Sequence, residues 1–248
     1  MKTLTIKLKE KLDYPIEAEA LKPESFAGKT MKQILELEVY AGNRKKTLGE
    51  VFQIEGEIAK KPEDQKLLLE GDFSKVKRIG EDMKAGEILV KGGAGLHLGE
   101  GMVGGSIIVE EDAGGWVGTG MRGGTIEVKG SVECYVGCAV RGEDSGMSGG
   151  TIKVGGNVGL DVGKGLIGGE ITVEGRVEKF TGSYMSGGTI KARECGSPLG
   201  YAMKKGSITV ETPMDAPFYL KRKGEDGQYI LYDGDVSFKG KGEVRIRR

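Results

Sequence analysis

The chain contains little of what usually builds a metal, disulfide or membrane protein. Its 248 residues include three cysteines, Cys134, Cys138 and Cys195, which is an odd number without the CxxC pairs of zinc or iron–sulfur sites. No apolar run approaches the roughly eighteen residues of a membrane span. The first residues, MKTLTIKLKEKL, lack the apolar core of a signal peptide. We therefore expect free thiols and a cytoplasmic protein.

An excess of charge of either sign is also missing. Lysine plus arginine number 37 and so do aspartate plus glutamate. Without a net charge, nothing in the composition favours binding to nucleic acid or to an anionic membrane. We expect neither as a partner.

Glycine and methionine, by contrast, follow a repeating pattern. The 45 glycines are concentrated in a unit that reads G-x-x-M-x-x-G-x-I-x-V-x-G. Six of the nine methionines occupy its fourth position, and Leu166 takes that position in one further copy. The methionines are Met83, Met102, Met121, Met147, Met185 and Met203. The seven copies span residues 80–92, 99–111, 118–130, 144–156, 163–175, 182–194 and 200–212. A period near nineteen residues is typical of stacked repeat architectures.

The pattern within each unit predicts an all-β fold. Runs such as Ile126-Glu127-Val128 alternate as a strand does, and a unit of about nineteen residues is too short for a strand plus a crossover helix. We predict a single-stranded right-handed parallel β-helix, a solenoid of about seven coils, with N- and C-terminal capping segments. The methionines should point inward as one column, because methionine fills irregular gaps well.

Three segments follow from this pattern. Residues 1–66 are expected to form an N-terminal α/β cap or docking segment, with a strand at Leu4 to Leu8 and a helix that starts near Ser25 and continues to Leu37. Residues 67–212 hold the repeats, and residues 213–248 form a C-terminal cap or arm with an exposed turn at Lys221 to Lys223. Seven extra residues around Arg141 to Ser145 interrupt the period. They are either a tolerated surface loop or a partner contact.

Three features imitate catalytic or cofactor motifs. The pattern G-x-G-x-x-G occurs at Gly99, Gly118 and Gly163, but a strand is expected after each, whereas the dinucleotide fingerprint requires a helix. Gly28-Lys29-Thr30 resembles the end of a phosphate loop, yet Pro23 replaces the first glycine of that motif. The single histidine, His97, has no recognisable nucleophile beside it and is expected to be structural. We predict no catalytic, cofactor-binding or metal-binding residue, and leave open whether Cys134, Cys138 and His97 do more than pack.

The repeat, together with Pro23-Glu24-Ser25-Phe26-Ala27-Gly28-Lys29 and Leu48-Gly49-Glu50-Val51-Phe52, resembles the C subunit of formylmethanofuran dehydrogenase over nearly the whole chain. The repeats alone also resemble the C-terminal domain of the glutamate synthase large subunit and one component of the bacterial formyltransferase/hydrolase complex. Departures are Asp144 for the leading glycine and Leu166 for methionine.

The resemblance implies a part in a cytoplasmic archaeal oxidoreductase complex. That complex reduces carbon dioxide with ferredoxin electrons and forms formylmethanofuran in methanogenesis. The resemblance places tungsto- or molybdopterin, iron–sulfur clusters and a dinuclear metal site on other subunits, so this chain is expected to be a scaffold that carries no cofactor. The alternatives are a subunit of a bacterial-type formyltransferase/hydrolase complex, a free-standing structural protein related to the glutamate synthase domain, or an enzyme with clustered carboxylates on one face.

Overall fold

Each sequence unit contributes one short strand to a large sheet. The computed structural model describes residues 1–140 and 142–248, and Arg141 lies outside the described residues. The elements of the first part of the chain are β1 (Lys2–Leu8), β2 (Ile16–Glu17), α1 (Pro23–Phe26), α2 (Met31–Leu35), β3 (Glu38–Ala41), β4 (Arg44–Thr47), α3 (Leu48–Val51), β5 (Phe52–Gly56), a 3-10 helix at Pro62–Asp64, β6 (Gln65–Glu70) and β7 (Val76–Lys77).

The rest of the chain is almost entirely strand and turn. Its elements are β8 (Glu87–Val90), β9 (Ser106–Val109), β10 (Thr125–Val128), β11 (Val132–Val136), β12 (Thr151–Val154), β13 (Val158–Val162), β14 (Glu170–Thr181), β15 (Ser186–Cys195), β16 (Lys205–Val210), β17 (Leu220–Asp226), β18 (Tyr229–Asp235), a 3-10 helix at Val236–Phe238 and β19 (Glu243–Arg247). No helix in the described part of the chain is long and apolar enough to cross a membrane.

The strands form two mixed sheets. The larger has 15 strands, whose main order is β17-β18-β19-β16-β15-β14-β12-β10-β9-β8-β6-β1-β5, with β11 and β13 beside this row. Neighbours from β1 to β19 in that row are parallel. β5 at one end and β18 and β17 at the other are antiparallel. The smaller sheet has the order β4-β3-β2-β7.

The predicted parallel β-helix is therefore wrong. The strand pairing gives open, mixed sheets of 15 and 4 strands in place of a closed or solenoid sheet. The prediction fails at the ends of the row, where β5, β17 and β18 pair antiparallel with their neighbours. A local feature also departs from extended chain: at Trp116 (φ 63°), Gly118 (φ 62°) and Gly120 (φ 63°) the backbone enters the left-handed region at alternate residues.

The predicted methionine column is confirmed. All six methionines and Leu166 have no exposed surface. The Ile and Val positions of successive strands pair in register, as in Ile107 with Ile126 and Val109 with Val128. These residues are also fully buried, because alternate residues of a strand share one face.

The methionine of one unit covers a glycine of the next. A methyl group added to Gly124 would lie 2.7 Å from Cε of Met102 and 2.9 Å from the carbonyl oxygen of Gly105. Gly124 also has φ of 86°, which residues with a Cβ rarely adopt. The same close approach of Cε occurs at Gly105, Gly150, Gly169 and Gly206, at 2.5 to 2.7 Å. The methionine side chain of one unit thus packs directly against the glycine backbone of the next unit.

Three smaller predictions need correction. The expected single helix after Ser25 is two short helices, separated at Gly28 (φ 75°), and Thr30 rather than Ser25 caps the second. Lys221 to Lys223 lie in strand β17, not in a turn. The leading glycine of the fourth unit is Gly137, not position 144, since Ile171 Cδ1 packs on it as Ile152 Cδ1 packs on Gly118. The extra residues therefore lie between Gly137 and Met147.

The buried methionine column should not tolerate a charge. Met121→Lys would place an unpaired ammonium where the side chain has no exposed surface, and we expect a loss of more than about 3 kcal/mol in the free energy of unfolding. Val103→Lys is the control, because Val103 is 43% exposed and should change stability by less than about 0.5 kcal/mol. Urea unfolding measures both, and equal stability of the two variants would contradict the packing described.

The glycine beneath each methionine should be equally sensitive. Gly124→Ala combines a strained φ with a clash against Met102 and should cost about 1–3 kcal/mol. Gly224→Ala is its control, because a Cβ there meets nothing within 4 Å. A fall in melting temperature with the first substitution alone is expected; an unchanged Gly124→Ala variant would show that the contact is not needed.

Candidate functional site

Three aromatic rings stack along one edge of the structure. His97, Trp116 and Tyr135 follow each other at intervals of nineteen residues, and all three adopt positive φ, between 59° and 63°. The ring centroids of His97 and Trp116 lie 5.2 Å apart, and those of Trp116 and Tyr135 lie 4.8 Å apart. Both pairs are nearly parallel, with interplanar angles of 8° and 21°. The same backbone conformation at the same place in three successive units aims the rings in one direction. We call them the aromatic ladder.

A cluster of charges adjoins the His97 end of the ladder. Arg78 occupies the preceding position of the same series, with φ of 62°. Its Nη1 lies 2.7 Å from Oε1 of Glu81 and 3.4 Å from Oε2 of Glu100. Nδ1 of His97 lies 2.6 Å from the same Glu100 oxygen, although their alignment does not form a regular hydrogen bond. Two carboxylates, one guanidinium and one imidazole therefore share a partly buried site.

The two carboxylates of this cluster differ in acidity. Burial raises the pKa of Glu81, and Arg78 offsets that effect in part. The contact with His97 lowers the pKa of Glu100, and the nearby Arg78 adds to the effect, while burial opposes it. Such a separation can serve acid and base catalysis, but structural ion clusters perturb pKa values as well. His97 is held by Trp116 on its face and Glu100 at its edge, which is the environment of a structural imidazole.

The three cysteines are free thiols. Burial raises the pKa of Cys138 to about 12 and that of Cys195 to about 11. Burial also raises the pKa of Cys134. The neutral thiol is a poor nucleophile and a poor metal ligand. In residues 1–140 and 142–248 no three His, Cys, Asp or Glu side chains are grouped so as to hold a metal ion.

The glycine motifs are turns, as predicted. Strands β9, β10 and β14 follow the copies at Gly99, Gly118 and Gly163. Gly28-Lys29-Thr30 leads into helix α2, which has five residues, and the Thr30 hydroxyl accepts a hydrogen bond from the backbone N–H of Gln33. Thr30 thus caps this short helix.

A second group of aromatic rings lies near the C-terminus. Tyr201 contacts Tyr184, Tyr219 and Phe238 edge to face, with centroid distances of 5.7, 6.0 and 5.8 Å. Phe218 packs its edge against Tyr219 at 5.4 Å. We call these five residues the C-terminal aromatic patch. Tyr184 also borders a cleft of about 580 Å³ beside the seven extra residues, together with Glu143, Lys164 and Lys204.

The predictions from the sequence omitted both aromatic groups. The aromatic ladder could have been predicted from the sequence, because His97, Trp116 and Tyr135 recur with the nineteen-residue period of the units. The C-terminal aromatic patch was not, because its rings come from three separate segments: the last two units, the approach to β17 and the 3-10 helix after β18. No periodicity links those positions.

Comparisons with known proteins indicate a class. No family model matches the chain. It is 39% identical over 98 residues to the C subunit of the tungsten-containing formylmethanofuran dehydrogenase 2 of Methanothermobacter wolfeii, over 40% of this chain and 36% of that protein. It is 43% identical over 91 residues to the C subunit of the molybdenum-containing formylmethanofuran dehydrogenase 1 of Methanothermobacter thermautotrophicus, over 36% of this chain and 22% of that protein. The matches thus span between 22% and 36% of these relatives' length.

One solved structure is similar over almost the entire chain. It is a chain of the formyltransferase/hydrolase complex from Methylorubrum extorquens, determined with methylofuran. The TM-score is 0.88 at 26% identity, over 98% of this chain and 99% of the other. These relatives and the solved neighbour are subunits of multi-subunit complexes, and that is the class of protein this chain resembles. The curated homologues are, specifically, C subunits of formylmethanofuran dehydrogenase, which confirms the resemblance found in the sequence.

The charge cluster should make stability depend on pH. Because the native pKa of Glu100 lies below its unfolded value, its stabilisation is present above the unfolded value and is lost as the pH falls through the native one. Glu100→Gln should lower the melting temperature at pH 7, and the difference from the original chain should vanish in the acid range. Glu127→Gln, on the outer sheet face away from the cluster, should leave the melting temperature unchanged. A Glu100→Gln effect of constant size from pH 7 to pH 3 would contradict this assignment.

Proposed function

We propose that the chain is the C subunit of a formylmethanofuran dehydrogenase complex. The observation that carries the proposal is the identity of about 40% with the C subunits of both the tungsten and the molybdenum enzymes. On this proposal the complex reduces carbon dioxide with ferredoxin electrons and attaches the product to methanofuran, in the cytoplasm of a methanogenic or related archaeon. The chain is then part of an oxidoreductase without being its active site.

The structure supports a scaffolding role within such a complex. Fifteen strands form one continuous sheet, and the units are fixed to each other by fully buried side chains. The outer face of this sheet neutralises itself through ion pairs between neighbouring strands: Glu110 lies 3.1 Å from Lys91 and 3.6 Å from Lys129. Lys153 and Glu174 pair at 2.8 Å. Paired surface charges of this kind support neither a catalytic carboxylate cluster nor a strongly charged ligand site.

On this proposal the other subunits of the complex bind the cofactors. The thiols are buried or shifted toward the neutral form, and the described residues form no metal-binding group. The pterin, the iron–sulfur clusters and the dinuclear metal site would be held by the other subunits. Residues 1–66 and 213–248 would cap the row of units or dock partners, and residues 67–212 would supply its length.

The full-length structural match favours a second candidate. The solved neighbour belongs to a formyltransferase/hydrolase complex and covers 98% of this chain, whereas the matches to the dehydrogenase subunits cover 40% or less. A member of a bacterial-type complex would have the same fold and partners that transfer or hydrolyse formyl groups without redox cofactors. The identity of the partner chains separates the two candidates.

Purification from the source organism tests the proposal. The chain, tagged at its own locus, should recover a molybdopterin- or tungstopterin-containing subunit and iron–sulfur subunits in fixed stoichiometry. Mass spectrometry identifies the chains, and elemental analysis measures tungsten, molybdenum and iron. The isolated chain should have no formylmethanofuran dehydrogenase activity.

Two results would contradict it. Recovery of formyltransferase and hydrolase subunits without tungsten, molybdenum or iron would favour the second candidate. Recovery of the chain as a monomer without partners would reject both.

A further inference from the structure

The C-terminal aromatic patch contains several of the most exposed large hydrophobic residues of the described chain. Phe218 is 97% exposed, Tyr184 is 50% exposed and Phe238 is 44% exposed. Val236, two residues before Phe238, is 47% exposed. Single exposed apolar residues are ordinary, but several that touch one another form a patch of the kind that marks an interaction surface. Phe218 is the most exposed large hydrophobic residue of the described chain.

The patch is held in place by buried polar contacts. The Tyr219 hydroxyl donates to the carbonyl oxygen of Leu199 at 3.1 Å, and burial raises its pKa to about 12. Asp235 is 1% exposed and accepts hydrogen bonds from the backbone N–H groups of Ala202 and Ser237, both at 2.9 Å. These bonds tie the two C-terminal segments to the last unit. A surface fixed before binding loses little conformational entropy when a partner arrives.

Unpaired positive charge surrounds the rings. The patch segments 200–205, 213–220 and 235–242 contain four lysines, Lys204, Lys205, Lys239 and Lys241, and two carboxylates, Asp215 and the buried Asp235, so positive charges exceed negative ones by two. All four lysines are exposed, and none makes an ion pair within the described chain, in contrast to the lysines on the outer sheet face. The cleft next to Tyr184 adds Lys164 together with Glu143 and Asp144. The rings are therefore bordered by an excess of lysines, except at the cleft, where Glu143 and Asp144 balance Lys164 and Lys204.

We propose that the C-terminal aromatic patch is the docking surface for another protein subunit, one that receives Phe218 in an apolar pocket bordered by carboxylates. The inference rests on the proposed function, because it assigns a place to one of the partners that function requires. The exposed ring supplies the desolvated anchor typical of interface hot spots. The lysines supply charge complementarity to an acidic border.

Two other occupants of the patch, a second copy of this chain and an anionic membrane, are disfavoured. In a symmetric dimer the patch would face itself, so the four lysines would oppose four more at close range. An anionic membrane would attract lysines and aromatic rings. However, the homologues and the solved neighbour are subunits of protein complexes, which favours a protein partner.

The test compares variants of the tagged chain in the native complex. Phe218→Ser removes the anchor, and the double variant Lys204→Glu with Lys239→Glu reverses the border charge. Val103→Ser is the matched control, because Val103 is 43% exposed and lies outside the patch. Quantitative mass spectrometry measures the recovery of every subunit relative to the tagged chain. Thermal unfolding shows that the variants remain folded, as expected for substitutions of exposed side chains.

One subunit should be lost selectively. We expect Phe218→Ser to reduce the recovery of one and the same stoichiometric subunit about tenfold or more. The lysine double variant should reduce it most at low salt, and the loss should shrink as salt screens the repulsion between the new glutamates and the acidic border. Val103→Ser should recover all subunits. If the original chain recovers no subunit, the proposed function fails. If the original chain recovers its subunits and both patch variants do so equally, the proposed function stands and the docking surface is wrong.

Two measurements on the isolated chain identify the other occupants. Sedimentation that shows a dimer of the original chain, converted to monomer by Phe218→Ser, would overturn the proposal in favour of a second copy. Flotation with vesicles of phosphatidylcholine and phosphatidylglycerol, abolished by the lysine double variant, would overturn it in favour of a membrane surface. A monomer that does not float agrees with the proposal.

Discussion

The contact between a methionine of one unit and a glycine of the next recurs from β8 to β16 and favours one register between these strands. Met102 Cε occupies the space that a Cβ of Gly124 would need, and the arrangement recurs through the chain with Leu166 in place of one methionine. The isoleucines and valines beside it bury apolar area, but a strand could bury the same area in a shifted register. A flexible side chain above a bare backbone permits one spacing between units, because any other spacing leaves a gap or a clash. The parallel alignment of β8 to β16, and the edges on which the aromatic rings stand, depend on that spacing.

The sequence predicts the interior better than the edges. The column of Met121 and its equivalents, and the strands at Ile126 and Val128, follow from simple periodicity. The closed parallel β-helix does not follow, because periodicity does not show how the strands pair, and β5, β17 and β18 pair antiparallel at the two ends of the row. Periodicity also gives no sign of the positive φ at His97, Trp116 and Tyr135, a conformation that is rare for large side chains. The C-terminal aromatic patch depends on contacts between residues up to 37 positions apart, as in Tyr201 and Phe238. Local sequence carries no record of such contacts.

The charged side chains are arranged differently on the sheet face and at the C-terminal aromatic patch. On the sheet face, lysines and glutamates of neighbouring strands satisfy each other, which leaves a neutral and repetitive surface. Around Arg78 the charges are drawn inward and perturb each other's pKa values. At the C-terminal aromatic patch, Lys204, Lys205, Lys239 and Lys241 make no ion pair within the described residues and lie beside exposed rings. A row of similar units therefore presents different surfaces along its length.

The seven extra residues lie in a place that leaves the row undisturbed. They enter between Gly137 and Met147, after the glycine that packs on Ile171 and before the methionine that covers Gly169. Both contacts are kept, and β12 pairs with β10 and β14 in unshifted register. The segment between Gly137 and Met147 is thus an insertion site, where residues can be added without altering the spacing of the units. An epitope or a spectroscopic reporter inserted there would mark a known position along the row of units. The same site would allow related chains to acquire new loops while the strand arrangement stays the same.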